Sequence, residues 1–269
     1  MTNNEKNILA FLEHHPVFTL DELREFLGSE KGSRKTSDLL LHHKKMGRIG
    51  VVKEGLYFAV RAGTATQHTT PDPFLIASKL VQDAVLSFPT ALDLLGYSHS
   101  LFNTYYFFSS RYRPAMRFRE NHFRSVLTPE QLQKNSQELF GTEKVERLGL
   151  KVLVTGKERT LAEALERPQH CGGFEEMYRS LEKIPYVQTD TILSYLQLRE
   201  QKKLYAAVGF FLEQHRDHFN VEEPFLRQLE RHKPSQPVYW DRSKKGGVLV
   251  KRWNLVVRKA IVERTWEEF

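Results

Sequence analysis

Two observations along this 269-residue chain predict an α+β protein in two parts. The first is a change of hydrophobic period. Helical spacing opens the chain, gives way to short strand-like runs at 49–60 and 104–127, and returns after Thr155. The second is a small, polar stretch punctuated by proline, residues 61–73. It places a boundary that leaves 1–66 as a first domain and 67–269 as a larger mixed α+β domain.

The elements of the first part follow in order. Ile8, Leu9, Phe11 and Leu12 form a helical stripe between Asn4 and His14, and Pro16 ends it. Thr19-Leu-Asp-Glu22 reads as a capping box, in which the Thr hydroxyl accepts from the Glu22 N–H while Glu22 reaches back. The helix it opens is expected to bury Leu20, Leu23, Phe26 and Leu27 and to stop at Gly28. A polar turn, 29–33, leads into a third helix that is basic. Ile49-Gly-Val-Val52 and Leu56-Tyr-Phe-Ala-Val60, with Gly55 between them, then form a hairpin. Two helices, a basic helix and a hairpin is the order of a winged helix-turn-helix.

The basic helix carries the functional signal. Between Lys31 and Lys53 stand seven basic residues and one acid, Asp38, a net +6. At about 100° per residue, Thr36, Leu39, Leu40, His43 and Gly47 face inward. Arg34, Ser37, Asp38, Leu41 and Lys45 face outward, flanked by Lys35 and His42. Arg takes guanine bidentately, Ser bonds either kind of base edge, and Leu contacts a thymine methyl. Ser33, Arg34, Lys35, Ser37, Asp38, Leu41 and His42 are therefore candidates for the DNA-facing surface. Lys44, Lys45, Arg48 and the hairpin-tip Lys53 are candidates for phosphate. Two plainer readings are a solvated charged helix and a winged helix used for protein contacts. The elements before and after the helix argue against the first, and the basic stretch from Lys31 to Lys53 argues against the second. His42 and His43 point about 100° apart and do not form a metal pair.

The second part begins with Asp72-Pro73, a helix cap followed by proline at the first helical position. A helix is expected over Phe74–Leu86 and a short one over Pro89–Gly96. Strands are expected at Thr104–Ser109, Met116–Arg119 and His122–Leu127. This meander carries Arg111, Arg113, Arg117, Arg119 and Arg124 against Glu120, interleaved with aromatics. Such a surface either stacks single-stranded nucleic acid or is a solvated arginine face over an aromatic core. Glu143–Arg147 and Leu150–Val154 suggest a hairpin, and Thr155-Gly-Lys-Glu158 a second capping box. That box, with Thr155 as cap, is expected to open a helix running through Leu165, and further helices follow at 174–184, 190–201, 203–218 and 221–232. A closing hairpin joins Val238–Trp240 to Val248–Val257. Arg227 to Lys259 holds ten basic residues and two acids.

Composition narrows the function. The net charge of +7 and pI near 9.3 point to an acidic partner, nucleic acid first. No apolar run reaches the roughly 18 residues of a membrane span, and no signal-peptide pattern opens the chain, so a cytoplasmic location is expected. The single cysteine, Cys171, excludes an internal disulfide and any zinc site built on two thiolates. Phosphate-loop, dinucleotide-binding and nucleophile-elbow patterns are absent. A metal-dependent nuclease would have to use Asp72, Glu158, Glu163 and Lys157, residues that also have structural readings. No catalytic role, cofactor or metal is expected.

Asp72-Pro-Phe-Leu-Ile-Ala-Ser78, Thr90-Ala-Leu-Asp-Leu-Leu-Gly96, Val154-Thr-Gly-Lys-Glu-Arg-Thr-Leu-Ala-Glu-Ala-Leu-Glu-Arg-Pro168 and Gly172-Gly-Phe-Glu-Glu176 follow the basic domain in that order. Together they resemble the AbiEi family of type IV antitoxins, also described as transcriptional regulators of abortive-infection systems. Thr90 stands where the family has Ser. The resemblance implies a repressor that binds inverted repeats in its own promoter through the N-terminal domain; a helix-turn-helix reads such a palindrome as a pair, so two copies on DNA are expected. The resemblance also implies antitoxin activity against a nucleotidyltransferase-like toxin without a stable complex. The alternatives are a stand-alone repressor of a defence or mobile-element locus, and a nucleic-acid-processing enzyme.

Overall fold

A computed structural model describes residues 3–30, 34–241 and 247–265. The fold is mixed α+β, with three sheets and 13 α-helices among the described residues. The chain forms two compact units. The first comprises Met1–Leu86, Asn103–Val126 and Lys144–Leu153, and the second Ser87–Phe102, Leu127–Glu143 and Val154–Phe269. The boundary expected near residue 66 lies inside the first unit.

The first unit starts with α1 (Asn3–His14), β1 (Val17–Thr19), α2 (Leu20–Phe26), α3 (Arg34–Lys45), β2 (Ile49–Lys53) and β3 (Leu56–Ala59). The Thr19 capping box is present: the Glu22 N–H donates to Thr19 Oγ1 at 3.2 Å, and the Thr19 N–H donates to Glu22 at 2.7 Å. Ile8, Phe11, Leu12, Phe18, Leu23, Leu40, Ile49 and Tyr57 share one core. Phe26 departs from expectation. It lies at the last turn of α2 and is 48% exposed, although its ring touches Phe11. The short strand β1 was not anticipated. It pairs antiparallel with β3, giving a sheet of order β1-β3-β2. Within that sheet Gly50 faces Phe58 across the ladder, and a Cβ on Gly50 would meet the Phe58 ring at 2.0 Å. The absent side chain is what lets the ring lie across β2.

The same unit continues with α4 (Pro73–Lys79), β4 (Val85–Leu86), β5 (Thr104–Ser109), β6 (Met116–Phe118), β7 (Asn121–Leu127), β8 (Thr142–Arg147) and β9 (Leu150–Thr155). The strands form a sheet of order β6-β7-β5-β4-β9-β8. Asp72 caps α4 through the Leu75 N–H and pairs with Arg147 at 2.8 Å. The helix is shorter than expected. It ends at Lys79, and Val85-Leu86 pair with β5 instead. A buried run of two apolar residues cannot be assigned to helix or strand by periodicity.

The second unit contains α5 (Pro89–Leu94), α6 (Glu130–Lys134), α7 (Lys157–Glu166), α8 (Phe174–Leu181), α9 (Thr189–Arg199), α10 (Lys202–Gln214), α11 (Arg216–Phe219), α12 (Glu223–Glu230), β10 (Val238–Tyr239), β11 (Gly247–Val250), β12 (Leu255–Arg258) and α13 (Lys259–Glu263). Helix α10 is buried on all sides from Leu204 to Leu212, as a central core helix must be. Within this continuous helix Gly209 leaves room for Trp253, fully buried, to lie against the backbone. A Cβ there would meet the indole at 2.2 Å.

Three further expectations are corrected here. Thr155 does not cap α7. Gly156 holds that position, and the Thr155 hydroxyl bonds Thr160 at 2.7 Å while Glu158 accepts from the Gln188 N–H at 2.9 Å. The helix expected over 203–218 breaks at His215 into α10 and α11. The closing hairpin is β11–β12, and β10 joins it by running parallel to β12. The turn residues 242–246 lie outside the described residues. Arg159 does pair with Glu163 at i+4, as the spacing suggests, but both are buried at 1% side-chain exposure.

Two stability outcomes follow. Gly50→Ala is expected to cost about 1–3 kcal/mol by overpacking. Gly209→Ala adds about 1 kcal/mol of helix propensity and is still expected to lose stability on balance. Urea titrations in which either variant equals the parent would refute the ring placements. For the ion pair, Arg159→Met alone should cost about 3–5 kcal/mol by stranding a buried carboxylate. Adding Glu163→Leu should recover much of that loss, and a double variant no better than the single would contradict this assignment.

Candidate nucleic-acid interface

Helix α3 is positioned by its buried side. Thr36, Leu40 and His43 are buried and Leu39 half-buried. Gly47, at φ +68°, turns the chain into β2. That seating leaves Arg34, Lys35, Ser37, Asp38, Leu41, His42, Lys44 and Lys45 exposed. The side chains of Arg34, Lys35, Lys44 and Lys45 make no hydrogen bond or ion pair with the described residues. Leu41 is 49% exposed, an apolar group in an otherwise charged surface. Ser33 lies outside the described residues, so its expected role has no structural counterpart. Two other candidates are engaged. Arg48 is half-buried, with its guanidinium 3.5 Å from the His43 ring nitrogen. Lys53 donates to the Leu80 carbonyl at 3.2 Å, so its ammonium is held on the unit rather than extended from the hairpin tip.

The arginine-rich meander separates into two groups. Arg119, at φ +55°, is structural. It stacks over Phe58 and Phe118 at 5.6 and 5.4 Å and donates to the carbonyls of Thr66 and Thr69. Arg117 donates to the Arg119 carbonyl and approaches Glu120 at 3.7 Å. Arg111, Arg113 and Arg124 are exposed.

Charge is divided unequally between the units. The first holds 19 Lys and Arg against 12 Asp and Glu, a net of +7, and the second holds 21 of each. The whole formal charge of the protein therefore belongs to the unit containing α3. The basic run from Arg227 to Lys259 is different, because its own unit neutralises much of it. Arg252 binds Glu213, Glu223 and Glu230, Arg258 binds Asp241 at 2.6 Å, and Lys233 binds Glu230.

The residues weighed for metal-dependent chemistry all have structural partners. Asp72 caps α4, and Glu158 accepts from the Gln188 N–H with Lys157 at 3.9 Å. Glu163 accepts from Arg159 and from the Tyr195 hydroxyl, each at 2.8 Å, and burial pushes its carboxyl above the usual range. Arg199 extends this network to Glu166 at 2.7 Å. Cys171 is buried, which pushes its thiol up, and His170 packs its ring on Phe88. The second unit also has a cleft of about 960 Å³ lined in part by Phe174, Trp240, Arg167 and Arg258.

No family model matches the chain, and no curated protein matches it. Among solved structures, the RV2827C protein from Mycobacterium tuberculosis shares the fold. The TM-score is 0.62 at 16% identity, over 99% of this chain and 96% of that one. No described helix is long and apolar enough to cross a membrane.

The burial of Cys171 has a direct readout. In the native protein, a thiol-reactive chromophore should label Cys171 orders of magnitude more slowly than in denaturant. Rapid labelling without unfolding would show that the thiol is accessible.

Proposed function

We propose that the protein is a sequence-specific, double-stranded-DNA-binding transcriptional regulator. In this reading α2 and α3 are the helix-turn-helix, with α3 in the major groove, and β2–β3 is the wing. The observation that carries it is the row of exposed, unpaired cations on α3, in the unit that holds the entire net charge. In the second unit, as at Arg252 and Arg258, cations are matched by neighbouring acids. A folded protein that leaves one cationic face uncompensated favours a polyanion there. Arg34, Lys35, Ser37, Asp38, Leu41 and His42 face the bases or groove walls, and Lys44 and Lys45 face phosphate. Arg48 and Lys53, already engaged within the unit, become secondary contributors.

The resemblance to AbiEi antitoxins supports a more specific version: an autorepressor on inverted repeats, bound as two copies, that counteracts a nucleotidyltransferase-like toxin without a stable complex. The alternative is a repressor with no toxin partner. Co-expression with a nucleotidyltransferase encoded beside the gene separates them. Rescue of growth without co-purification supports the antitoxin, and no rescue supports the stand-alone repressor.

Gel-shift titration on the DNA upstream of the gene, against scrambled DNA at two salt concentrations, tests the central reading. Selective binding that persists at the higher salt is expected. Arg34→Ala should cost about 1–3 kcal/mol on the selected DNA and less on scrambled DNA, whereas Lys45→Ala should weaken both and lower the salt slope by about 1. Equal losses on both DNAs for Arg34→Ala would remove it from base contact.

A further inference from the structure

The three free arginines of the meander stand on a prepared surface. The loop 110–115 reads Ser-Arg-Tyr-Arg-Pro-Ala. Its first end is fixed by Asp83, which accepts from the Ser110 N–H at 2.7 Å and from the Ser109 hydroxyl at 3.0 Å. Its far side is fixed by Ser125 on β7. That hydroxyl accepts from the Arg113 N–H at 3.0 Å and donates to the Arg113 carbonyl at 2.8 Å. The backbone is therefore held on both sides while the side chains it carries face solvent. Tyr112 is 71% exposed. The guanidinium groups of Arg111, Arg113 and Arg124 make no hydrogen bond or ion pair with the described residues. The nearby acids are already used: Asp83 holds the loop, and Glu120 faces Arg117.

The place of this loop in the unit matters. Phe118, at the end of β6, packs edge-on against Phe58 of β3 at 6.1 Å, and Arg119 covers both rings. The meander is thus fastened to the hairpin read above as the wing. A backbone fixed in advance lowers the cost of binding phosphate, because only the arginine side chains remain to be ordered. We propose that the 110–115 loop, with Arg124 beside it on β7, is a second DNA-contact element that grips the backbone of the same duplex beyond the wing. This rests on the DNA-binding reading of α3. The solvated-arginine alternative would leave the three arginines indifferent to DNA.

The test uses full-length protein and a 40-base-pair duplex that the wild type itself selects from a random pool. Arg111→Gln/Arg113→Gln/Arg124→Gln is compared with wild type and with Arg34→Ala, and each variant is first checked for unchanged thermal unfolding. Losing three phosphate contacts should lower the slope of log affinity against log salt by about 2.7. The affinity lost between 50 and 200 mM salt then shrinks by about 40-fold. Hydroxyl-radical footprinting should lose protection at the flank and keep it at the centre. An unchanged slope and footprint in the triple variant, with Arg34→Ala still weakened, overturns this inference alone. Failure of the wild type to bind any duplex overturns both it and the reading of α3. A triple-variant defect on single-stranded oligonucleotides with none on the duplex also overturns it.

Discussion

The first unit depends on one stacked joint. Phe58 crosses β2 only because Gly50 has no side chain, and its exposed edge is then closed by Phe118 and the Arg119 guanidinium. Arg119 also donates from its two terminal nitrogens to the carbonyls of Thr69 and Thr66. A single cation thus ties the three-stranded sheet, the proline-punctuated stretch and the six-stranded sheet together. Aromatic packing of this kind supplies about 0.5–1.5 kcal/mol per pair beyond burial. Its larger effect is geometric, because it fixes the three-stranded sheet against the β6–β7 meander.

The second unit uses charge differently. Arg159, Glu163, Tyr195 and Arg199 form a buried chain of polar contacts between α7 and α9. Arg159 also reaches the carbonyls of Glu138 and Phe140, each at 2.7 Å. Buried ion pairs add little net stability compared with apolar substitutes, but they strongly disfavour arrangements in which either partner is left alone. Here the pairing locks a loop and two helices in register. Charges that compensate one another are silent toward a partner, and charges left uncompensated are not. That contrast locates the proposed function in the first unit.

Much of this was legible from the residues. The inward and outward faces of α3, the Thr19 cap, the Asp72-Pro73 start and the β5–β7 meander all follow from spacing and local chemistry. What was missed depended on partners distant in sequence. Val17–Thr19 becomes a strand only because β3 offers it an edge. Thr155 matches a capping pattern, yet Thr160 offers its hydroxyl a nearer partner. Val238-Tyr239 fits a hairpin with the final strand, but the ladder it joins is parallel, and direction is not written in alternation. Within the candidate interface, the sequence could count arginines but could not separate the clamp, Arg119, from the free Arg111 and Arg113. Lys53 showed the same limit. Its position at the hairpin tip was readable, and its bond to the Leu80 carbonyl was not.

The division into units also bears on how such a protein can change over time. The first unit is assembled from three separate stretches of chain, so the backbone passes between the units five times. A module bounded by one linker can be exchanged whole by recombination. A unit interleaved in this way resists that, because a crossover anywhere between residues 60 and 117 would separate β3 from the Phe118 and Arg119 that cover it. Change on the exposed face of α3 would therefore come by substitution, with the scaffold beneath it inherited as one piece.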